Sequence, residues 1–248
     1  MADWFEDDGF WTKMYPYMFS EERLETTQHE VDGIFTLTGF QTGQVLDLCC
    51  GPGRHSILFA QKGCQVTGVD RTPFLLKKAR EKAEEEGVAV EWVEEDMRRF
   101  SRPETYDLTL SMLTSLGYFD DPQEDMLVLK NLYHSLKPGG ICVLDMMGRE
   151  ILARNFHDTV SEKHADGSIL VQRREILDGW GTLRNERILI ENGTALTYSF
   201  EQRIYSGQEL RESLSRVGFH NITLYGNLKG DPYDHRASRL VAIGWKSK

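Results

Sequence analysis

The chain has 248 residues, of which 40% are hydrophobic and 27% charged, and its formal net charge is −10 at pH 7. This length is enough for one large domain or for a domain with an insertion. The negative charge offers no electrostatic footprint for nucleic acid or for an anionic membrane surface. No apolar run approaches the ~18 residues of a membrane-spanning helix.

The cysteines and the N-terminus indicate the compartment. The cysteines lie in or beside apolar runs and lack the spacing of a zinc site, so we expect buried free thiols and no metal. They are Cys49, Cys50, Cys64 and Cys142. The N-terminus is acidic and has no basic segment followed by an apolar core, as a secretory signal would have. We therefore expect a soluble cytoplasmic protein.

Residues 1–20 are rich in aromatic side chains, and a helix is predicted to begin after Ser20 as its N-cap. The rings have two interpretations, because aromatic side chains serve both uses. They form either an arm that packs on the core or a lid over a cofactor. We treat residues 1–40 as one N-terminal unit, an aromatic arm with its helix, in the role of a lid.

Residues 45–144 alternate apolar strands with amphipathic helices, which predicts a parallel sheet covered on both faces. Strands are expected at 45–48, 65–69, 89–93, 108–112 and 141–144. Ligands of such sheets bind at the carboxyl ends of the strands. Four polar side chains fall at or near these ends, namely Asp47, Asp70, Asp96 and Ser111.

The pattern changes after Phe156. Three hairpin-turn dipeptides, Asp166-Gly167, Asp178-Gly179 and Asn192-Gly193, predict an antiparallel meander over residues 157–204. A helix that begins with a capping box at Ser206 and two strands, at 221–225 and 240–245, complete the chain. The predicted fold is α/β: a doubly wound, mostly parallel, Rossmann-like sheet of seven strands (residues 41–156 and 205–248) with an inserted antiparallel β-meander.

The segment from Val45 to Ser56, VLDLCCGPGRHS, is typical of a ligand-binding loop. Its glycines allow a ligand to approach the backbone, and the helix that follows offers unpaired N–H groups. An acid at Asp47 suits a cationic ligand better than a phosphate. Asp70, about 17 residues past Gly53, ends the second strand, where ribose hydroxyls would be held.

Four features in order and spacing carry a resemblance to a known family: DLCCGPG (47–53), the acid of VTGVD (66–70), Asp96-Met97 within VEEDMRRF, and LKPGG (136–140). Together they resemble the class I S-adenosylmethionine (SAM)-dependent methyltransferases of small-molecule type. The acid-Met-Arg motif and LTSLGYF (113–119) are similar to amino-sugar N-methyltransferases. One departure is Cys49, which stands where the family has its first loop glycine.

The resemblance implies a binding role for each matched residue. Asp47 and the backbone of Gly51 and Gly53 would hold the methionine part of SAM, and Asp70 its ribose. Asp96 would bond the adenine amine while Met97 packs on the ring. The remaining cofactor-binding candidates are Tyr15, Cys49, Arg54, His55, Arg71 and Ser111, and the substrate candidates are Tyr17, Leu113 and Tyr118.

Other interpretations of these residues stay open. Asp70 alone is often a strand-end cap, His55 is as well explained by structure as by function, and Tyr118 could be a ring that caps its loop. A nicotinamide-dependent oxidoreductase would need a third glycine at Ser56 and a catalytic Tyr-x-x-x-Lys or His, which we do not find. A SAM-binding protein without transferase activity is the other alternative.

The acceptor is expected to be a small molecule with a nitrogen or oxygen nucleophile, not nucleic acid and not a membrane component. The meander has one apolar face, with Leu196, Tyr198, Phe200 and Ile204, and such a face must cover something. We expect it to cover the acceptor side of the pocket, and the same strands could pair with a second copy in a homodimer. No general base is evident, so the acceptor's identity and the choice between N- and O-methylation stay open.

Overall fold

The computed structural model describes residues 4–248, with the side chains of residues 21–25 excepted. The first three residues of the predicted arm lie outside this part. In chain order the elements are a 3-10 turn (Trp4–Glu6), α1 (Asp8–Met18), α2 (Glu21–Thr38), β1 (Gln44–Leu48), α3 (Arg54–Gln61), β2 (Gln65–Asp70), α4 (Pro73–Glu85), β3 (Glu91–Glu94), β4 (Tyr106–Ser111), α5 (Pro122–Ser135), β5 (Leu136–Met146), α6 (Arg149–Arg154), β6 (Thr159–Lys163), β7 (Ile169–Leu177), β8 (Thr182–Glu191), β9 (Thr194–Arg203), α7 (Gly207–Val217), β10 (His220–Tyr225) and β11 (Leu240–Trp245).

The central sheet has seven strands in the order β10-β11-β5-β4-β1-β2-β3. Strands β1 to β5 pair in parallel, whereas β11 is antiparallel to both β5 and β10. Helices cover both faces: Leu132 of α5 and Leu214 of α7 lie in one apolar cluster, and Ile34 of α2 and Phe59 of α3 in the other. This arrangement confirms the predicted doubly wound, mostly parallel sheet.

Two helices begin at residues that carry local helix-start signals in the sequence. Ser206 and Glu209 form a reciprocal capping box: Oγ of Ser206 accepts from the N–H of Glu209 at 3.2 Å, and the Glu209 carboxylate accepts from the N–H of Ser206 at 2.8 Å. Pro73 occupies the first turn of α4, where its missing N–H would have no helical partner. These signals depend on neighbouring residues alone, which explains why the sequence reveals them.

Three elements differ from the expectations: one helix was not predicted, and two strands begin at other residues. Residues 8–18 form a helix, capped by the carboxylate of Asp7, although Pro16 and the dense aromatic residues obscure a helical pattern. Strand β3 begins two residues later than predicted. Strand β5 begins at Leu136 and includes the glycine turn, with an irregular register against β4 at that point.

The insertion is a separate sheet of four antiparallel strands, in the order β6-β7-β8-β9. The sequence predicts strands at 169–177, 183–190 and 195–204 but not β6. The unexpected strand, β6, has only exposed residues, so no alternation of apolar and polar side chains indicates it. One face of this sheet packs on the arm: Leu170 and Leu189 share an apolar cluster with Phe10 and Met14 of α1. The meander therefore supports the N-terminal arm.

Candidate functional site

The glycine loop connects β1 to α3 through left-handed backbone conformations. Cys49, Gly51 and Gly53 have φ of 64°, 56° and 79°. A Cβ at Gly53 would lie 2.5 Å from the ring of Trp92, so this glycine is required by packing under the loop. The left-handed conformation at Cys49 explains why a glycine suits that position, and the thiol occupies it at the cost of backbone strain.

Asp47 lies in β1 with only 1% of its surface exposed, and the hydroxyl of Ser56 donates to its Oδ2 at 2.6 Å. Burial raises the pKa of this carboxyl, against the opposing effect of His55, Ser56 and Arg54. An ammonium group bound in the cavity would favour the ionised form, because an opposite charge nearby offsets the cost of desolvation. The site therefore suits the cationic end of a methionine.

Asp70 ends β2 and is held by two backbone donors. Oδ2 accepts from the N–H of Gly51 and Oδ1 from that of Thr72, each at 2.9 Å. Burial nevertheless raises the pKa of the carboxyl. Each oxygen retains a lone pair, so the fixed carboxylate can accept two further hydrogen bonds from vicinal hydroxyls.

Asp96 is the most heavily paired acid of the site. Arg98 donates to it at 2.7 Å from Nη2, and Nη1 of Arg71 lies 3.3 Å away. Burial alone would raise the pKa of Asp96, but the hydrogen bonds and charge of Arg98 outweigh it and hold the pKa below its usual value. The predicted contact with an adenine amine would share these oxygens with the guanidiniums. Beside it, the sulfur atoms of Met97 and Cys49 lie 3.4 Å apart.

A cavity of about 200 Å³ lies at the carboxyl ends of β1, β2 and β4. Most of the sequence-predicted residues line it, namely Asp47, Cys49, Gly51, Arg54, His55, Asp70, Arg71, Asp96, Met97, Leu113 and Tyr118. Four predicted residues are not part of the lining. Gly53 and Ser111 lie below the surface, Tyr15 packs on Phe74, and the hydroxyl of Tyr17 donates to Ser168 at 2.9 Å.

The aromatic wall of the cavity includes residues that the sequence did not identify singly. Trp4, Phe5, Trp11, Met18 and Phe19 of the arm line it, together with Phe119. The density of rings in residues 1–20 indicated an arm or lid, but it could not show which rings face inward. The structure brings both interpretations together, because the arm packs on the core and also borders the cavity.

The four-stranded sheet packs against residues of the cavity wall but does not line the cavity itself. Phe200 of β9 stacks on Trp4 with 4.5 Å between ring centroids and lies 6.0 Å from Tyr118. Among the described lining residues, none belongs to the meander. In this structure the arm borders the cavity and the meander lies behind the arm, while the cover of the acceptor side by the meander stays a prediction.

Two contacts connect α2 to the start of α3. Arg54 donates to Oγ1 of Thr27 at 2.7 Å, and Nε2 of His55 lies 2.9 Å from Oε2 of Glu30. Burial alone would raise the pKa of Glu30, but its hydrogen bond and charge pairing with His55 outweigh this effect and lower the pKa. The helix that follows the arm thus orients two cavity-lining side chains, a role with no local sequence signal.

Comparison with known proteins identifies the class of enzyme. Residues 45–140 match the family model for a methyltransferase domain. YqeM of Bacillus subtilis, which is named as a methyltransferase, is 28% identical over 213 residues, or 84% of this chain and 86% of that one. The chain is a SAM-dependent methyltransferase. The cofactor is SAM, as the resemblance implied, and the match favours neither the oxidoreductase nor the inactive SAM-binding alternative.

Solved structures agree with the methyltransferase fold. A SAM-dependent methyltransferase from Clostridium acetobutylicum superposes with a TM-score of 0.79 at 14% identity, over 97% of this chain and 99% of that one. The SAM-bound amino pentose methyltransferase of calicheamicin biosynthesis, from Micromonospora echinaspora, has a TM-score of 0.72 at 18% identity, over 96% of both chains.

Among the side chains that the structure describes, no group of three His, Cys, Asp or Glu residues is arranged to hold a metal ion. No described helix of the methyltransferase combines the length and apolarity that a membrane crossing needs.

Proposed function

We propose that this methyltransferase acts on a small molecule with a nitrogen or oxygen nucleophile. The observation that carries the proposal is the aromatic enclosure of the cavity. The ring of Trp4 meets that of Tyr118 edge-on, with 5.2 Å between the ring centroids. The ring of Trp11 lies beside that of Trp4, with 5.6 Å between the centroids. Enclosure of this kind buries most of a small ligand and excludes water, whereas a protein or nucleic-acid segment would need an open groove.

The order of the strand ends supports the assignment of one half of the cavity to the cofactor and of the other half to the acceptor. From the sheet edge inward, Asp96 follows β3, Asp70 ends β2 and Asp47 lies in β1. These acids fit adenine, ribose and ammonium in the order in which SAM carries them. The segment after β4, which includes Leu113 and Tyr118, comes next in line and is assigned to the acceptor.

The mechanism requires alignment more than chemical activation. Bound SAM supplies a methyl group on a sulfonium, which is already a good leaving group. The chain therefore needs to fix the acceptor in line with that carbon and to exclude water. Asp96, Asp70 and Asp47 would hold the adenine, the ribose and the ammonium of the cofactor, and the arm closes the space above them.

The acceptor end favours an amine over a hydroxyl. Among the described lining residues after β4 and in the arm, none has a carboxylate or imidazole side chain. Burial raises the pKa of Tyr118 to about 12, so its phenol stays protonated and cannot serve as a base near neutral pH. An amine needs only to arrive neutral, whereas a hydroxyl needs a base. The amino pentose activity of the Micromonospora neighbour fits the same class.

We also propose that the protein works in the cytoplasm and as a homodimer. Its four cysteines are free, and three of them are buried, as in a reducing compartment. Strand β6 is an exposed edge of the four-stranded sheet, with Val160 38% exposed. Such an edge can pair with a second copy of the chain. Light scattering on the purified protein tests this assembly, and a monomer mass at micromolar concentration would rule it out.

Incubation with methyl-labelled SAM tests the acceptor class. The protein is mixed with a cell extract that has been depleted of endogenous enzymes and fractionated by size. We expect label in the small-molecule fraction, at a position that resists mild acid as a methylamine does. Label confined to protein, RNA or DNA would overturn the proposal. The Asp70→Ala variant is the control for transfer that does not depend on the site.

A further inference from the structure

The chain after β4 adopts an unusual conformation at the cavity wall. Leu113 and Thr114 have φ of 58° and 64°, and both line the cavity. A left-handed conformation is uncommon for residues with a side chain, and two in succession, one of them leucine, store strain. Strain of this kind persists only where the surroundings impose it.

Asp145, near the end of β5, imposes this conformation from below. Its backbone oxygen accepts from the N–H of Thr114 at 2.8 Å, and its carboxylate oxygen Oδ2 lies 3.3 Å from the N–H of Leu113. Asp145 is only 2% exposed, so it holds both donors away from water. Oγ1 of Thr114 in turn accepts from the N–H of Met147 at 2.8 Å. The two strand ends are thus joined by three hydrogen bonds.

Arg239 completes the arrangement from the segment before β11. Its Nε donates to Oδ1 of Asp145 at 2.7 Å, and its Nη2 lies 3.4 Å from Oγ1 of Thr114. One guanidinium therefore fixes the carboxylate and also contacts the strained residue. It balances the buried charge of Asp145, which would otherwise be costly.

We propose that Asp145 and Arg239 are positioning residues for methyl transfer, which hold Leu113 and Thr114 in their left-handed conformation and so set the acceptor wall of the cavity. Neither side chain lines the cavity, so both act through the backbone that they hold. The assignment of this wall to the acceptor rests on the proposed function. The effect on rate follows because a displacement of about 1 Å in an aligned pair of reactants can cost a large factor in rate.

The experiment compares Arg239→Met and Arg239→Lys with Arg236→Met. Arg236 is a matched control, since it forms an ion pair with Asp234 in the same segment but has a side chain that is 73% exposed. Three quantities are measured on each folded variant: the rate of label transfer from saturating SAM to the small-molecule fraction, the Kd of S-adenosylhomocysteine by calorimetry, and the φ of Leu113 and Thr114 in a crystal structure.

We expect Arg239→Met to lower the transfer rate by about tenfold or more, with a much smaller change in the Kd of S-adenosylhomocysteine. Arg239→Lys should restore part of the rate, and Arg236→Met should change nothing. An unchanged rate in Arg239→Met would overturn the inference, as would a Kd that weakens as much as the rate falls. The φ angles of Leu113 and Thr114 can be measured without an acceptor. They therefore test the positioning role of Arg239 independently of the proposed small-molecule acceptor. If the wild type labels no small molecule, the proposed function fails, and the positioning role then stands or falls with movement of Leu113 and Thr114 out of the left-handed region.

Discussion

The guanidinium of Arg71 lies over the ring of Phe5, with 4.6 Å between its central carbon and the ring centroid. The same guanidinium forms an ion pair with Glu6 on the arm and lies beside Asp96 on the core. One side chain after β2 thus connects the arm to the end of the cavity that we assign to adenine. A ligand that enters from this side must pass the contact.

This contact predicts a change in the rate of ligand exchange. Glu6→Gln removes an exposed ion pair, and such pairs contribute about 0.2–1 kcal/mol. We expect the dissociation rate of S-adenosylhomocysteine in stopped-flow experiments to rise by about 1.4- to fivefold, which corresponds to that energy. Glu175→Gln, which breaks a comparable pair with Arg184 on the four-stranded sheet, is the control. Equal rates in Glu6→Gln and the wild type would show that the arm does not limit exchange.

Asp70→Ala should weaken the binding of SAM and of S-adenosylhomocysteine. It removes a carboxylate that can accept two ribose hydroxyls, and charge-assisted hydrogen bonds contribute about 1.5–3 kcal/mol. The loss corresponds to an increase in Kd of about 10- to 150-fold. Calorimetry measures it, with Asp121→Ala as the control, because Asp121 also caps a backbone N–H but starts α5. Unchanged affinity in Asp70→Ala would contradict the ribose assignment.

Phe200→Ala separates support of the arm from cofactor binding. The ring is 7% exposed and stacks on Trp4, so its removal should cost about 3 kcal/mol in the free energy of unfolding and loosen the arm. We expect turnover to fall while the Kd of S-adenosylhomocysteine stays near the wild-type value. Phe156→Ala removes a ring that packs on Trp180, and since neither residue lines the cavity, turnover should stay unchanged. Full activity in Phe200→Ala would contradict a role for the meander in supporting the arm.

Gly117→Ala should destabilise the turn that carries Tyr118. Gly117 has φ of 102°, and a Cβ there would lie 2.4 Å from the backbone oxygen of Arg203. Strain and displacement together should lower the free energy of unfolding by about 1–3 kcal/mol in urea denaturation. Gly167→Ala is the matched control, since its φ is 87° but nothing lies within 4 Å of the new methyl group. Equal losses in the two variants would show that the contact with Arg203 has no effect.

The raised pKa values of Asp47 and Asp70 predict opposite pH dependences for stability and for binding. Each carboxyl binds its proton more tightly in the folded protein than in the unfolded chain. The unliganded fold should therefore gain stability as the pH falls through the window between the raised pKa and the usual value of 3.8. Cofactor affinity should fall in the same window, because the ammonium and the hydroxyls need the ionised acids.

Calorimetry with S-adenosylhomocysteine at a series of pH values measures this dependence of binding. Asp70→Asn has one titrating carboxyl fewer, and its profile should be flatter than that of the wild type. Affinity that rises as the wild type is acidified through the window would contradict the assignment of both acids.

The sequence was sufficient for the parts of the fold that depend on neighbouring residues. The capping box at Ser206 and the proline that begins α4 are local features, and the strand–helix alternation follows from period alone. It missed α1 and β6, where Pro16 interrupts the helical pattern and a fully exposed strand leaves no alternation. Both elements are stabilised by what they pack against or pair with, which no local pattern records.

The same division applies to the site. Asp47 and Asp70 could be identified because they occupy fixed positions relative to a glycine loop and a strand end. Glu30, Asp145 and Arg239 could not, since each contacts the site from a distant part of the chain. Tyr17 was assigned by position within an aromatic run, yet its side chain points toward Ser168 of the meander. Contacts between side chains that are far apart in the chain cannot be read from the sequence alone.

The assignment of the strand ends to the parts of the cofactor is tested most directly by a crystal structure of the protein with S-adenosylhomocysteine. We predict that both ribose hydroxyls donate to Asp70, that the ammonium lies at Asp47, and that the sulfur faces Leu113 and Thr114. A ribose bound away from Asp70, or a sulfur that faces away from the segment after β4, would contradict the account.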